Sequence, residues 1–322
     1  RIDGDTLTIT APGTYVLTGT LADGQVVVDS DAEGKVRIVL DNASITNADG
    51  SALVVTAADE AVVVLADGSS NSLTDGTGYD TSADDAPNAA LFSMADLTIG
   101  GTGSLTVTGN TGDGIASKDG LVISGGTITV TAVDDGIRGK DYLIVIGGTV
   151  TVDAEDDGLK SDNETDDTVG YVLVQGGTVT VAAGDDGIHA EGDLAVEGGT
   201  LTVTRSTEGL EGSTITIAGG ETRVTASDDG LNATQGSTAS STQGGQGGGG
   251  MQDDGSLLTI SGGTLTVDAG GDGLDSNGTI VVTGGTTTVN GPTMNGNGAL
   301  DSNGGITVTG GTLAAGGSSG MA

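Results

Sequence analysis

Acidic residues recur beside glycines in this sequence, at a spacing that could bring their carboxylates together. The tripeptide Asp-Asp-Gly occupies residues 134–136, 156–158 and 185–187, within a repeat of about 22 residues. Carboxylate oxygens suit hard cations such as Ca²⁺ or Mg²⁺. The sequence has no Cys and one His, which argues against Zn²⁺ or Cu²⁺. Because Ca²⁺ tolerates irregular geometry, it is the expected cofactor.

If the repeats stack, these acids form columns. One predicted column holds Asp113, Asp135, Asp157, Asp186, Glu208, Asp229 and Asp272. A neighbouring column holds Asp134, Asp156, Asp185 and Asp228, and the further predicted metal ligands are Glu211, Asp275 and Asp301. Like charges one coil apart repel by about 1 kcal/mol in water and about 3–4 kcal/mol at an effective dielectric of 20, which a bound cation would offset. The alternative is that Asp-Asp-Gly is only favourable turn chemistry, with solvated carboxylates.

Basic residues line up beside the predicted acid columns. The predicted ligand-binding patch consists of Lys118, Arg138, Lys140, Lys160 and His189. These bases would either pair with the acids or clamp the carboxylates of an acidic polysaccharide. A second array, of outward threonines such as Thr127, Thr149 and Thr178, could meet a flat polysaccharide surface, but Thr is also simply a good exposed strand residue.

The elements that must position these residues are short strands. A Gly-Gly pair opens each unit, as at Gly125 and Gly176, and should make a turn that needs positive φ. An alternating strand follows, in which Ile128 and Val130 point to one side and threonines to the other. Then comes the acidic corner, where Gly136 is expected to supply unusual dihedral angles, and Ile137 as an inward anchor.

This strand-only repeat predicts an all-β fold, a right-handed parallel β-helix (solenoid) with coils of about 22 residues. A two-layer sandwich is the rival, but it does not predict identical corners at a fixed period. We assign residues 1–99 to an N-terminal cap and irregular first coils, residues 100–312 to regular coils, and residues 313–322 to a tail. Two acidic loops (80–88 and 161–170) and a Gly-rich insert (235–255) interrupt the rhythm.

Composition limits the possible partners. The chain of 322 residues carries 45 acids against 9 bases, a net charge of −36, so a nucleic acid or an anionic membrane surface is not an expected partner. No apolar run is long enough for a membrane helix, so no membrane insertion is expected. The chain opens at Arg1, as it would after removal of a signal peptide or in a trimmed chain, and we expect a secreted monomer.

Several stretches resemble one known family. They are residues 87–93 (PNAALFS), residues 109–141 (GNTGDGIASKDGLVISGGTITVTAVDDGIRGKD), residues 208–212 (EGLEG) and the ending that starts at Gly271 (GDGLDSNG). They are similar to the secreted bacterial carbohydrate-binding β-helix proteins typified by a cellulose- and polygalacturonate-binding protein of clostridia. The resemblance implies a pectate-lyase-like right-handed β-helix, several bound Ca²⁺ ions, and binding of cellulose and acidic sugars. Sugar binders of other kinds stack aromatic rings on pyranoses, whereas this chain has no Trp and one Phe.

The leading hypothesis is therefore non-catalytic, Ca²⁺-dependent binding of an acidic polysaccharide such as polygalacturonate, or of cellulose, at or outside the cell surface. One alternative is a polysaccharide lyase in which Arg138 or Lys160 abstracts the proton beside a uronate carboxylate. Another is a structural adhesin stiffened by Ca²⁺. A nucleophilic hydrolase is disfavoured, because the sequence offers a single His and no Cys.

Overall fold

The structure is a computed structural model that describes residues 1–83, 85–165, 168–235 and 252–318. All regular secondary structure in these ranges is β-strand, and the strands form the coils of a parallel β-helix. Register partners in neighbouring regular coils lie 22 residues apart, as Asp135 and Asp157 do. The predicted solenoid fold and its period are confirmed. With no helix in the described part of the chain, none there is long and apolar enough to cross a membrane.

Each coil contributes to three parallel sheets, which we call the corner face, the tyrosine face and the threonine face. The corner face consists of β2 (Thr6–Ile9), β4 (Gln25–Asp29), β6 (Leu53–Ala57), β9 (Ala89–Ser93), β12 (Asp113–Ser117), β15 (Ile137–Gly139), β18 (Leu159–Ser161), β25 (Leu231–Ala233) and β28 (Leu274–Ser276). Two longer strands, β21 (Ile188–Val196) and β23 (Leu210–Ile217), run from the corner face onto the tyrosine face.

The other two faces are equally regular. The tyrosine face contains β7 (Glu60–Leu65), β10 (Leu97–Gly101), β13 (Gly120–Ile123), β16 (Tyr142–Val145), β19 (Tyr171–Val174), β26 (Leu257–Ile260), β29 (Thr279–Val282) and β31 (Gly305–Val308). The threonine face contains β8 (Ser70–Thr74), β11 (Ser104–Gly109), β14 (Thr127–Ala132), β17 (Thr149–Ala154), β20 (Thr178–Ala182), β22 (Thr200–Arg205), β24 (Glu221–Ala226), β27 (Thr264–Ala269), β30 (Thr286–Asn290) and β32 (Thr312–Gly316). Two strands, β3 (Gly13–Leu21) and β5 (Lys35–Thr46), cover both faces, and β1 (Ile2–Asp3) pairs antiparallel with β2.

The core is a column of aliphatic side chains inside the coils. Alternation along each strand sends every second residue inward, so that Ile128 and Val130 are buried while the threonines between them face outward. On the corner face Ile137, Leu159 and Ile188 follow one another in register and are fully buried. Each coil can bury its apolar side only against its neighbours, so the core stabilises the fold only when the coils stack.

The Gly-Gly turns behave as the sequence predicts. The second glycine of each pair has positive φ, for example 94° at Gly126 and 92° at Gly148. The turns also stack closely, since a Cβ added to Gly148 would lie 2.7 Å from the carbonyl oxygen of Gly126. These positions therefore require glycine for both conformation and space.

The structure bears on two assigned segments, the C-terminal end and the Gly-rich insert. Residues 313–316, expected in the tail, instead continue β32, which pairs with β30. The Gly-rich insert lies, apart from residues 235 and 252–255, outside the described residues.

Candidate functional site

The corner face presents the sequence Asp-Gly-Ile, or a close variant, once per coil. Ile137 or its equivalent points inward, and the corner acid precedes it by two residues. The expectation that Gly136 supplies unusual dihedral angles is wrong, because its φ is not positive. Glycine is required there for space: a Cβ on Gly136 would lie 2.2 Å from Cγ1 of Val152 and 2.6 Å from the carbonyl oxygen of Gly158. The tight packing fixes where each corner acid stands.

The first column of corner acids is buried and linked from coil to coil. Asp113, Asp135, Asp157 and Asp186 expose only 1%, 4%, 4% and 6% of their surface. Oδ1 of Asp135 accepts the backbone N–H of Asp157 at 3.2 Å, and Oδ1 of Asp157 accepts that of Asp186 at 2.9 Å. Oδ1 of Asp229 likewise accepts the N–H of Asp272 at 2.6 Å. The corner carboxylates therefore accept backbone hydrogen bonds from the next coil, a structural role that solvated turn residues would not have.

A second column of acids lies immediately before the first and is more open. Asp134, Asp185 and Asp228 are exposed and Asp156 is half-buried. Three of them approach the buried column, because Asp134 and Asp156 form one group with Asp135, and Asp156 and Asp185 form another with Asp157, in which single carboxylate oxygens lie within 4.8 Å of one another. An incoming cation could therefore meet solvent-facing and buried oxygens at once.

The residue after each inward anchor forms a third column, which changes sign along the helix axis. Its outward side chains are, in order, Ala116, Arg138, Lys160, His189, Glu211, Asn232, Asp275 and Asp301. The column is basic from Arg138 to His189 and, apart from Asn232, acidic from Glu211 to Asp301. It runs directly beside the first column of corner acids.

Three of the predicted ligand-binding bases are paired with carboxylates. Lys160 Nζ lies 2.8 Å from Asp157 and 3.2 Å from Asp135, and His189 Nδ1 lies 3.0 Å from Asp186. Arg138 binds Asp162 through two guanidinium nitrogens, at 3.0 and 2.6 Å. Arg138, Lys160 and His189 therefore adopt the first of the two arrangements that the sequence left open, in which the bases pair with neighbouring acids. Sequence reasoning missed Asp162, which lies in an insertion outside the repeat register.

The other two bases, Lys118 and Lys140, differ from these three. Neither forms an ion pair with any carboxylate among the described residues. Burial lowers the pKa of Lys118, and the nearby charges of Arg138 and Lys140 lower it further. Both lysines line a groove of about 490 Å³ together with Asn88, Thr111 and Asp134. Asn88 itself donates a hydrogen bond to Asp113 at 2.9 Å.

Burial raises the pKa of several corner carboxyls. It raises the pKa of Asp113 to about 8, and the charge of Asp135 adds to that shift. Burial raises the pKa of Asp135 to about 7 although Lys160 opposes it, and that of Asp186 to about 6 against the hydrogen bond from His189. Burial, followed by the neighbouring Glu208, also raises the pKa of Glu211. The cause throughout is removal of charge from water, with like charges close by.

Five groups of three side chains bring single ligand atoms within 4.8 Å of one another in the described ranges. They are Asp134/Asp135/Asp156, Asp156/Asp157/Asp185, Asp157/Asp186/His189, Asp186/Glu208/Glu211 and Asp272/Asp275/Asp301. Of the predicted metal ligands, Asp113, Asp228 and Asp229 belong to none of these groups. Four of the five groups offer oxygen alone, and His189 contributes the nitrogen of the remaining one. The donor set fits a hard cation.

Comparison with known proteins places this architecture in a family. A family model described as a carbohydrate-binding domain-containing protein matches residues 3–255. The chain belongs to this carbohydrate-binding family. A carbohydrate-binding domain-containing protein of Acetivibrio thermocellus is 38% identical over 126 residues, which cover 38% of this chain and 44% of that protein. The chain thus matches less than half the length of that relative.

A solved structure is also similar to this carbohydrate-binding family member. It is a gadolinium derivative of a polysaccharide lyase-like protein from C. thermocellum, with a TM-score of 0.61 and 32% sequence identity. The match covers 73% of this chain and 90% of that one. The resemblance inferred from the sequence motifs is confirmed. One comparison names carbohydrate binding and the other a lyase-like protein, so the question of catalysis turns on the residues themselves.

Proposed function

We propose that this protein binds an acidic polysaccharide outside the cell, in a Ca²⁺-dependent and non-catalytic manner. The observation that carries the proposal is a ladder of buried carboxylates that runs beside a groove containing two lysines without acidic partners. The ladder would hold the cation, and the groove would hold the carboxylates of the sugar. The family supplies the general ligand, a carbohydrate.

Without a cation, the ladder of corner carboxylates destabilises the fold. Neighbouring corner carboxylates repel one another in a partly buried setting, and that repulsion opposes folding. A divalent cation that takes oxygens from adjacent coils converts the repulsion into attraction. The similar solved structure is a gadolinium derivative, and Gd³⁺ is also a hard cation that prefers oxygen ligands. Sites of this type in extracellular modules bind Ca²⁺ weakly, which suits the Ca²⁺-rich exterior of the cell.

Lys118 and Lys140 support an acidic sugar as the ligand. An ammonium group without an acidic partner is available to a ligand carboxylate, whereas the charges of Arg138 and Lys160 are already engaged. Asn88 and Thr111 line the same groove and could bond to sugar hydroxyls. Galacturonate units present both kinds of group. The proposed ligand is therefore a polyuronate such as polygalacturonate.

The proposal of a non-catalytic protein rests on the state of the two candidate bases. Burial disfavours the charge on Lys160, but the charges and hydrogen bonds of Asp135 and Asp157 outweigh it and raise its pKa. Burial is likewise outweighed at Arg138, where Asp162 raises the pKa. A base must be unprotonated to abstract a proton, so neither residue is suited to start lyase chemistry.

The test is calorimetric titration with polygalacturonate in the presence of Ca²⁺ and after its removal by a chelator, with thermal melting of the same samples. We expect both the affinity and the melting temperature to rise with Ca²⁺. A rise in melting temperature without any binding of polygalacturonate would favour the Ca²⁺-stiffened adhesin instead. Formation of unsaturated product, followed by ultraviolet absorbance, would show a lyase and overturn the non-catalytic assignment.

A further inference from the structure

The turns that lead into the first strands of the corner face enclose a pocket of about 490 Å³. Its carboxylates come from Asp5 before β2, Asp23 before β4, Asp49 before β6 and Asp80 in the insertion before β9. All four side chains belong to exposed residues. No Lys, Arg or His is among the described residues that line the pocket. The pocket is therefore a concave surface of one sign, which concentrates cations.

The four carboxylates are spaced too widely for three of them to share one metal ion. In the described ranges, no three of them bring single oxygens within 4.8 Å of one another, unlike the five groups that include the acid ladder. The oxygens that bind one Ca²⁺ ion all lie about 2.3–2.6 Å from it, and hence close to one another. The spacing instead favours a cation whose charges are spread along its length.

Ser51, which lines the same pocket, has a buried hydroxyl without a hydrogen-bond partner. The residue is 3% exposed, and its Oγ makes no hydrogen bond of normal geometry, although it stands near the hydroxyl of Tyr79. By register Ser51 lies two coils before Asp113 in the column of corner acids. Buried polar groups without a partner are rare in folded proteins. An ammonium group in the pocket would donate to this oxygen.

The pocket also has apolar lining, from Val54, Tyr79 and Pro87. The hydroxyl of Tyr79 donates to Oδ2 of the buried Asp75 at 2.9 Å, which holds the ring in place. An aromatic ring attracts a nearby ammonium group, and aliphatic side chains accept a methylene chain. The lining therefore suits a ligand that combines ammonium groups with a hydrocarbon chain.

Two of the pocket carboxylates are fixed by backbone hydrogen bonds. Oδ1 of Asp23 accepts the N–H of Ala48 in the next coil at 3.0 Å, and Oδ1 of Asp80 accepts the N–H of Ser82 at 2.9 Å. The hydrogen bonds from Ser82 lower the pKa of Asp80, which keeps this carboxyl ionised. Both carboxylates are thus held in place before a ligand arrives, which reduces the entropy lost on binding.

We propose that this pocket binds a small aliphatic di- or polyamine. The ammonium groups would bond to the separated carboxylates and to Oγ of Ser51, and the methylenes would pack on Val54 and Pro87. The pocket shares no lining residue with the lysine groove, which contains Lys118 and Lys140. The site goes beyond the proposed function and does not depend on Ca²⁺ or on a polysaccharide.

The test is calorimetric titration of the full chain with putrescine, spermidine and methylammonium, which has the charge but no chain. Saturating Ca²⁺ keeps the amines off the acid ladder, and about 0.15 M salt screens diffuse attraction. Asp23→Asn/Asp49→Asn removes two pocket charges, and Ser51→Ala removes the hydroxyl. The control, Asp31→Asn/Glu155→Gln, removes two exposed charges outside the pocket. Circular dichroism and thermal melting check the fold of each variant.

We expect putrescine or spermidine to bind at least about tenfold more tightly than methylammonium. The Asp23/Asp49 variant should lose roughly tenfold in affinity or more, and the control less than about threefold. Ser51→Ala should weaken binding without lowering the melting temperature, because it removes a hydroxyl that has no partner. Equal losses in the pocket and control variants would show diffuse attraction to an acidic surface and overturn the proposal. So would failure of both amines to bind.

Discussion

Oδ1 of Asp157 accepts the backbone N–H of Asp186, the corner acid of the following coil, at 2.9 Å. The other carboxylate oxygen of Asp157 lies 2.8 Å from Nζ of Lys160. The carboxylate of Asp157 thus accepts a backbone hydrogen bond from the next coil and also belongs to the proposed cation sites. These two tasks can be separated by substitution, because an amide keeps the acceptor oxygen but loses the charge.

Asp157→Asn should weaken Ca²⁺ binding and cost less Ca²⁺-free stability than Asp157→Ala, because the amide keeps the acceptor oxygen and Lys160 retains Asp135 as a partner. Asp157→Ala should lower the free energy of unfolding by about 1–3 kcal/mol even without Ca²⁺, because it leaves the buried N–H of Asp186 without its acceptor. Urea unfolding and Ca²⁺ titration of both variants measure the two effects. Equal stability of the Asn and Ala variants in chelator would contradict the structural role.

Stability in the absence of Ca²⁺ should fall as pH rises. Burial raises the pKa of Asp113, Asp135 and Asp186 to about 8, 7 and 6, above the value of about 3.9 for unfolded Asp. Between these limits the folded chain holds protons that the unfolded chain has released, so the free energy of unfolding declines from about pH 4 to pH 8. Melting curves in chelator at pH 5 and pH 8 test this.

The same melting curves at pH 5 and pH 8, recorded in saturating Ca²⁺, are the matched comparison. A cation that neutralises the ladder removes the cost of ionising it, so the melting temperature should depend less on pH when Ca²⁺ is bound. A Ca²⁺-free protein that melts at a higher temperature at pH 8 than at pH 5 would show that the buried carboxyls are not the main titrating groups.

Gly158→Ala should destabilise the corner face by about 1–3 kcal/mol, because the added Cβ would lie 2.2 Å from Cγ1 of Val181 and 2.6 Å from the carbonyl oxygen of Gly187. Gly316→Ala is a suitable control, since a Cβ there meets nothing within 4 Å. Its effect should stay within about 0.5 kcal/mol. Chemical denaturation of both variants measures the difference, and equal losses would argue against tight stacking at the corner.

Lys118→Ala/Lys140→Ala should reduce the affinity for polygalacturonate roughly tenfold and make the remaining binding less sensitive to salt. The control is Lys35→Ala, which removes an exposed lysine that pairs with Glu60. Titrations at two salt concentrations give both quantities. Unchanged affinity in the double variant would remove the lysine groove from the proposed function.

The double variant Arg138→Ala/Lys160→Ala should affect stability and Ca²⁺ binding, in contrast to Lys118→Ala/Lys140→Ala, which should affect sugar binding. Both side chains neutralise nearby carboxylates, so their loss should lower the Ca²⁺-free melting temperature and change Ca²⁺ affinity more than sugar affinity. Thermal melting and titration with each ligand check this. A selective loss of sugar binding would instead return these two residues to the ligand site.

The sequence was sufficient to predict the coil period and the alignment of the acid columns, because uninterrupted coils have almost constant length. Asp135, Asp157 and Asp186 therefore fall in register even though an insertion separates the last two. The partner of Arg138 could not be predicted, since Asp162 lies in that insertion. Tyr142 stacks on Tyr171, with ring centroids 5.6 Å apart, and its ring occupies the space left by the missing side chain of Gly120 in the preceding coil. Both relations are visible only once the coils are paired.

Neighbouring groups of ligands in the acid ladder have members in common. Asp157 belongs to two of the groups, and so do Asp156 and Asp186. Ions that enter the ladder would therefore compete for, or jointly polarise, the same carboxylates, and occupancy at one coil would alter affinity at the next. The ladder would fill as a one-dimensional lattice with nearest-neighbour coupling. A Ca²⁺ titration would then depart from the single hyperbolic isotherm of identical, independent sites.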